Sequence, residues 1–232
     1  MDNLKLEKEL WAKGYNYIAC IDEVGRGCLA GEVLACAVIM PKEFFLEEVT
    51  DSKKLSLKKR IKLSKTIKEN ILSFSFGIIE AYEIDELNIK NATIKAMEMA
   101  VKDLKTKKGK EITPDLLLID AEKVNLNIPQ KNIVKGDLYC HGISASSILA
   151  KVERDNRMID LVKRNSELKK YDIENNKGYG TKKHIDALKK YGPTKFHRKT
   201  FLKKILNENR QVSVLDGNKI WIEKKLEVNT KG

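Results

Sequence analysis

Residues 17–40 read Y-I-A-C-I-D-E-V-G-R-G-C-L-A-G-E-V-L-A-C-A-V-I-M. Both ends of this stretch are strand-like and its middle is not. Residues 17–22 form a short apolar run that closes on the carboxylate of Asp22, with Glu23 next to it. Residues 34–40 are apolar without interruption, the pattern of a strand covered on both faces. Between them Gly25, Gly27 and Gly31 permit backbone conformations closed to other residues, so this segment is a loop. The stretch therefore predicts two strands joined by a glycine-rich loop, with two acids delivered to the start of that loop.

Outward from this stretch the same patterns recur. Residues 71–82 read as a third strand. L-L-L-I-D at 116–120 is a buried strand ending on Asp120, and N-I-V-K-G-D at 132–137 is expected to be a further short strand closing on Asp137. Asp51 and Ser52 are candidate caps for a helix running through residues 64–70, with Leu55, Ile61 and Ile67 at helical intervals. Residues 85–105 predict one amphipathic helix, with Leu87, Ile94, Met97 and Val101 near one face. In the helix predicted over 144–163, Ile148, Val152, Asp155, Ile159 and Val162 share one stripe, so Asp155 lies on the apolar face. Helices are also expected at 181–190 and 194–206, separated by Tyr191-Gly192-Pro193. Strands dominate the first half and helices the second. The fold class is α/β, a mixed β-sheet flanked by helices with a C-terminal helical extension over about 142–206. The tail, 207–232, predicts a β-hairpin: Val212 to Leu215, a turn at Asp216-Gly217-Asn218, then Lys219 to Ile222.

Composition bounds the function classes. The chain has 232 residues, 42% hydrophobic and 34% charged, which reads as globular. A chain of this length buries on the order of 70% of its unfolded surface. No apolar stretch approaches the roughly 18 residues of a membrane span. The charged first residues offer no signal-peptide core, so a cytoplasmic protein is expected. Cys20, Cys28, Cys36 and Cys140 form no C-x-x-C and are expected to be reduced and buried. Lys plus Arg number 45 against 33 Asp plus Glu, a net charge of +12. That excess reads either as a footprint for polyanions or as lysine spread over solvated helix faces.

Three predicted strands thus end in acid, at Asp22 (with Glu23), Asp120 and Asp137. Strand-end acids can be ordinary solvated turn residues. Brought together, they repel and need protons or cations, and hard oxygen donors suit Mg²⁺ or Mn²⁺.

These segments carry a resemblance. I-D-E-V-G-R-G-C-L-A-G-E-V, D-S-K-K-L, L-I-D-A, K-G-D…I-S-A-S-S-I-L-A-K-V-E-R-D and K-G-Y-G-T-K-K-H…Y-G-P-T-K-F-H-R-K-T-F stand in the order found in ribonuclease HII, the type 2 ribonuclease H family. The match runs over roughly residues 17–201. The resemblance implies a ribonuclease H-like catalytic domain over residues 1–206. It implies an endoribonuclease that hydrolyses the RNA strand of RNA–DNA hybrids and incises 5′ of single ribonucleotides embedded in duplex DNA. The products implied are 3′-hydroxyl and 5′-phosphate ends, made with two Mg²⁺ or Mn²⁺ ions.

Residue by residue, it implies that Asp22, Glu23, Asp120 and Asp137 bind the catalytic ions. Asp155, at the family's R-D position, is the rival for the fourth place. Gly25, Arg26 and Gly27 match the loop that recognises a ribonucleotide 2′-hydroxyl. Tyr179 matches the tyrosine that stacks on the deoxyribose after the ribonucleotide, and Lys53 lies in a segment near the substrate backbone. His184 and His197 also fall in family segments, as satisfied or phosphate-facing residues. The sister family, ribonuclease HIII, normally adds an N-terminal domain and lacks the tyrosine, whereas here about 16 residues precede the first strand. The remaining alternative is a non-catalytic nucleic-acid-binding protein. Three positions depart from the family pattern: Cys20 and Ala121 stand where Gly is common, and Glu32 where Pro is. Glu32 is expected to weaken nucleic-acid affinity slightly. A monomer is the default expectation.

Overall fold

A computed structural model describes residues 3–49 and 55–207, and the backbone of two further strands at 210–215 and 218–223. The chain opens with α1 (Lys5–Ala12), which the sequence pattern did not signal. β1 (Ile18–Val24) and β2 (Val33–Ile39) follow, paired antiparallel with Asp22 opposite Cys36. α2 (Leu57–Asn70) is capped by Ser56, whose hydroxyl accepts the Lys59 N–H at 3.3 Å. Asp51 and Ser52, proposed as its cap, lie outside the described residues.

β3 (Ser73–Ile79) is shorter than expected, because Glu80 caps a new helix, α3 (Ala81–Leu87). The helix predicted over 85–105 is two helices. Asn88, at φ +65°, ends α3, and its side chain caps α4 (Ile89–Lys102) by accepting the Asn91 N–H. With ψ at 161°, Asn88 is extended at positive φ, a conformation that is costly outside glycine. β4 (Leu116–Asp120) pairs parallel to β1, and β5 (Gln130–Ile133) pairs parallel to β4.

The strand predicted over 132–137 is corrected. β5 stops at Ile133, Lys135 turns left-handed at φ +58°, and Asp137 sits in α5 (Gly136–Tyr139), a single helical turn. α6 (His141–Arg164) runs longer than predicted. A 3-10 turn (Ser166–Tyr171) and α7 (Ile173–Asn176) lead to α8 (Lys182–Tyr191), capped by Thr181. α9 (Lys199–Asn207) begins five residues later than expected, since residues 194–198 turn around His197 and Asp85 accepts the N–H groups of Lys199 and Thr200. β6 (Arg210–Leu215) and β7 (Asn218–Glu223) pair antiparallel, as the hairpin pattern predicts.

The main sheet has five strands in the order β3-β2-β1-β4-β5, helices covering both faces. Alternation along β1 sends Cys20 towards α6 and α2, and Ala19 and Ile21 towards α4. β2 is buried throughout, which explains its unbroken apolar run. A third cluster, around Met158, Tyr171 and Leu188, joins the end of α6 to the C-terminal helices. The four cysteines are free and buried. No described helix is long and apolar enough to cross a membrane.

Candidate active site

β1 and β4 run parallel side by side with Ile21 opposite Ile119, so the chain directions place Asp22 and Asp120 at the same end of the sheet. Asp22 is buried, and Ser147 of α6 hydrogen-bonds its carboxylate. Burial, then the charges of Glu23 and Asp120, push the Asp22 carboxyl up to about 8, against the Ser147 bond. Glu23 is raised by burial as well, opposed by Arg26 and reinforced by Asp120 and Glu122. These acids therefore act on one another at one place. One oxygen of Glu23, Oε2, is buried with no hydrogen-bond partner. A crowded set of hard oxygen donors with an orphaned oxygen fits a divalent cation such as Mg²⁺ or Mn²⁺.

Asp137 reaches this neighbourhood by a route other than a strand end. The Gly136 N–H donates to Asp120 Oδ1 at 2.8 Å, fixing the start of α5 on β4. The Ser144 hydroxyl in turn holds the Asp137 carbonyl at 2.7 Å. Asp155 is engaged elsewhere: Lys151 Nζ is 2.8 Å from its Oδ1, and its charge is felt at Tyr179.

The glycine loop leaves β1 through Gly25, at φ +94°. A Cβ there would lie 2.3 Å from Arg154 Nε, so both conformation and space demand glycine. Nothing lies within 4 Å of a Cβ at Gly27, which faces open space. Arg26 bridges Glu122 at 2.6 Å and Glu23 at 3.3 Å. Two fully buried arginines hold the loop from behind. Arg154 donates to the carbonyls of Glu32, Lys177 and Ala30. Arg198 donates to those of Gly31, Arg26 and Glu32. The Glu32 carboxylate is buried against Arg157 at 3.1 Å, so its charge is neutralised inside the protein.

Tyr179 is brought to this loop by a bridge to Cys28. Its partner segment approaches closely: a Cβ at Gly178 (φ +87°) would meet the Ala30 carbonyl at 2.3 Å. Tyr179 is 37% exposed, with Lys151 Nζ 5.3 Å from its ring centroid. Behind it runs a relay of neutral imidazoles. The Thr194 N–H donates to His197 Nδ1 at 3.0 Å, leaving His197 Nε2 to donate to His184 Nε2, also at 3.0 Å. His184 Nδ1 then donates to the Tyr179 carbonyl at 2.9 Å. Both histidines are buried, so neither faces a phosphate. Lys53 lies outside the described residues.

Sequence reading missed Glu122, Ser147, Arg154 and Arg198. Glu122 lies two residues after Asp120 and was legible as a further acid. Ser147 lies inside the S-A-S-S-I segment. The two arginines look like surface residues until the fold buries them.

Helices on both faces of a mixed five-stranded sheet, with acids gathered where β1 and β4 end, define the ribonuclease H fold. Ribonuclease H2 from Pyrococcus horikoshii OT3 superposes with a TM-score of 0.65 at 21% identity, over 82% of this chain and 97% of that one. Bst-RNase HIII, solved in complex with Mn²⁺, superposes with a TM-score of 0.59 at 15% identity, over 86% and 72%. A Ribonuclease HII of Alkaliphilus oremlandii (strain OhILAs) is 52% identical over 207 residues, 89% of this chain and 100% of the relative. The family model for Ribonuclease HII matches residues 19–204, and the chain belongs to that family, a group of hydrolases of the ribonuclease H type.

Proposed function

We propose that this protein cleaves the RNA strand of RNA–DNA hybrids and incises on the 5′ side of single ribonucleotides embedded in duplex DNA. The observation that carries the reading is the convergence of Asp22, Glu23 and Asp120 where the parallel strands β1 and β4 end, beside a loop whose Gly27 faces open space. Asp22, Glu23, Asp120 and Asp137 would hold two Mg²⁺ or Mn²⁺ ions. When bound there, such ions would supply Lewis-acid activation of water and charge neutralisation at the scissile phosphate, consistent with 3′-hydroxyl and 5′-phosphate ends.

The protein's own groups do the rest. Ser147 and the Gly136 N–H orient Asp22 and Asp120. Gly25, Arg26 and Gly27 meet the ribonucleotide 2′-hydroxyl, the group that separates RNA from DNA. Arg26 is already turned towards the acids by Glu23 and Glu122. The half-exposed Tyr179 ring offers its face to the following deoxyribose. Lys53 matches a segment near the substrate backbone, and the +12 charge gives sequence-independent attraction to phosphates. Residues 1–206 form the catalytic unit, a cytoplasmic monomer.

The test is cleavage of duplex DNA carrying one ribonucleotide, with and without Mg²⁺ or Mn²⁺. Metal-dependent incision 5′ of the ribonucleotide is expected. Cutting confined to longer RNA tracts, as for a ribonuclease HIII, or binding without cutting, overturns the proposal.

A further inference from the structure

α1, β1 and the start of α6 meet on one covered face of the sheet. Glu7 of α1, Cys20 of β1 and Cys140, between α5 and α6, converge there, all buried. One ligand-capable atom from each lies within 4.8 Å of the other two. The two sulfurs are 3.9 Å apart, and Cys140 Sγ is 3.2 Å from Glu7 Oε1. That oxygen also accepts the Gly142 N–H at 2.9 Å, which fixes the carboxylate on the first turn of α6. The other oxygen, Glu7 Oε2, is buried with no hydrogen-bond partner.

The catalytic reading uses none of these three side chains. As packing alone, the cluster is incomplete. It places a carboxyl among thiols, and burial raises both the Glu7 carboxyl and the Cys140 thiol, yet Oε2 stays unsatisfied. The geometry has another use. A tetrahedral zinc with Zn–S bonds of about 2.3 Å separates its two thiolates by roughly 3.8 Å, close to the spacing found here.

We infer that Glu7, Cys20 and Cys140 form a structural site for one thiolate-seeking divalent cation of the zinc class. The two sulfurs and the unpartnered Oε2 of Glu7 supply three donors, and the fourth tetrahedral position falls to an exogenous ligand. The Gly142 N–H orients the carboxylate from outside the coordination shell. Binding releases the thiol protons to solvent as the ligands become thiolates. The ion clips three elements together: α1, β1 two residues ahead of Asp22, and the chain three residues beyond Asp137. Its sulfur donors keep it chemically distinct from the all-oxygen set at Asp22, Glu23 and Asp120. In the sequence no C-x-x-C announces it, because its ligands come from three separate segments.

Cobalt reports on the donors directly. The full chain, stripped of metal under a thiol-sparing reductant, is titrated with Co²⁺ while zinc content is measured on protein purified from zinc-supplemented medium. A thiolate-to-cobalt charge-transfer band saturating at one ion per chain is expected, with about one zinc retained through desalting and a melting temperature lowered by chelation. Glu7→Gln should weaken Co²⁺ affinity at least about tenfold, and Cys20→Ala/Cys140→Ala should abolish the band. A folded wild-type protein that gives only an oxygen-ligand cobalt spectrum overturns the site. So does a thiolate band that survives in the double cysteine variant. Neither readout depends on nucleic-acid cleavage, so this inference and the proposed function fail separately.

Discussion

Arg154 and Arg198 donate to the same acceptor: the Glu32 carbonyl lies 2.9 Å from Arg154 Nε and 3.0 Å from Arg198 Nη2. Their other N–H groups reach the carbonyls of Ala30, Lys177, Gly31 and Arg26. Two planar donors thus replace the strand ladder that the glycine loop lacks. A lysine cannot reproduce that fork. Arg154 still serves the Glu32 carbonyl in Arg198→Lys, but the lysine can keep at most one of the Gly31 and Arg26 bonds, so at least one of those carbonyls is left unpaired, at about 1–3 kcal/mol. The expected result is a lower urea midpoint together with a raised KM for hybrid cleavage. A midpoint within error of wild type would show that the carbonyls find other donors.

Ala121 follows Asp120 at φ +54°, a conformation that costs an L-residue with a Cβ roughly 1–2 kcal/mol. A glycine at this place would carry no such cost. Ala121→Gly removes that strain and recovers less than the full amount, because glycine is more disordered when unfolded. A gain of about 0.5–1 kcal/mol is expected, or roughly 1–4 °C in Tm for a domain of this size. Differential scanning calorimetry decides it, and a loss of stability would mean the strain is relieved elsewhere.

The imidazole relay makes stability depend on pH. Burial, then the neighbouring His184, holds His197 down to about 4, against about 6.5 for an exposed histidine. As pH falls from about 6.5 towards 4, the unfolded chain takes up a proton that the native protein refuses. Stability therefore drops through that window and is unaffected by this group above it. His184, also lowered by burial, adds in the same direction. Wild-type Tm should fall more steeply between pH 6.5 and 4.5 than that of His197→Gln. Parallel Tm profiles for the two would mean the relay carries no proton linkage.

The first strands, the glycine loop and the acids at β1 and β4 were legible because each is local: an apolar run, then a break, then a carboxylate. Asp137 sits in a helical turn and not at the strand end expected of it. N-I-V-K-G-D looks like a strand, but the left-handed Lys135 turns it into a helix start, and no periodicity marks such a turn. The split at Asn88 escaped for the same reason. Arg154 and Arg198 were illegible because their partners are backbone carbonyls far along the chain. Such acceptors carry no side-chain signature.

Stability and activity should respond in opposite directions to neutralising Asp22. Its carboxyl is pushed up to about 8, while an unfolded aspartate titrates near 3.9. Above the unfolded value, the native protein keeps a proton that the unfolded chain has released. The metal-free protein therefore loses stability as pH rises from about 4 to about 8, and above that it carries the full repulsion of Glu23 and Asp120. Asp22→Asn removes a charge from this cluster and keeps the acceptor for Ser147. In chelator at pH 8.5 its Tm should exceed that of wild type. Added Mg²⁺ should raise the wild-type Tm and leave the variant nearly unmoved. Cleavage should fall on the order of a hundredfold or more, the scale of losing one group that stabilises transition-state charge, and Asp120→Asn should lose turnover likewise with its fold intact. Melting curves with and without Mg²⁺, beside single-ribonucleotide cleavage, separate the two effects. A full-rate Asp22→Asn enzyme would remove this carboxylate from the chemistry, and an unchanged metal-free Tm would show that the acids do not repel as their placement requires.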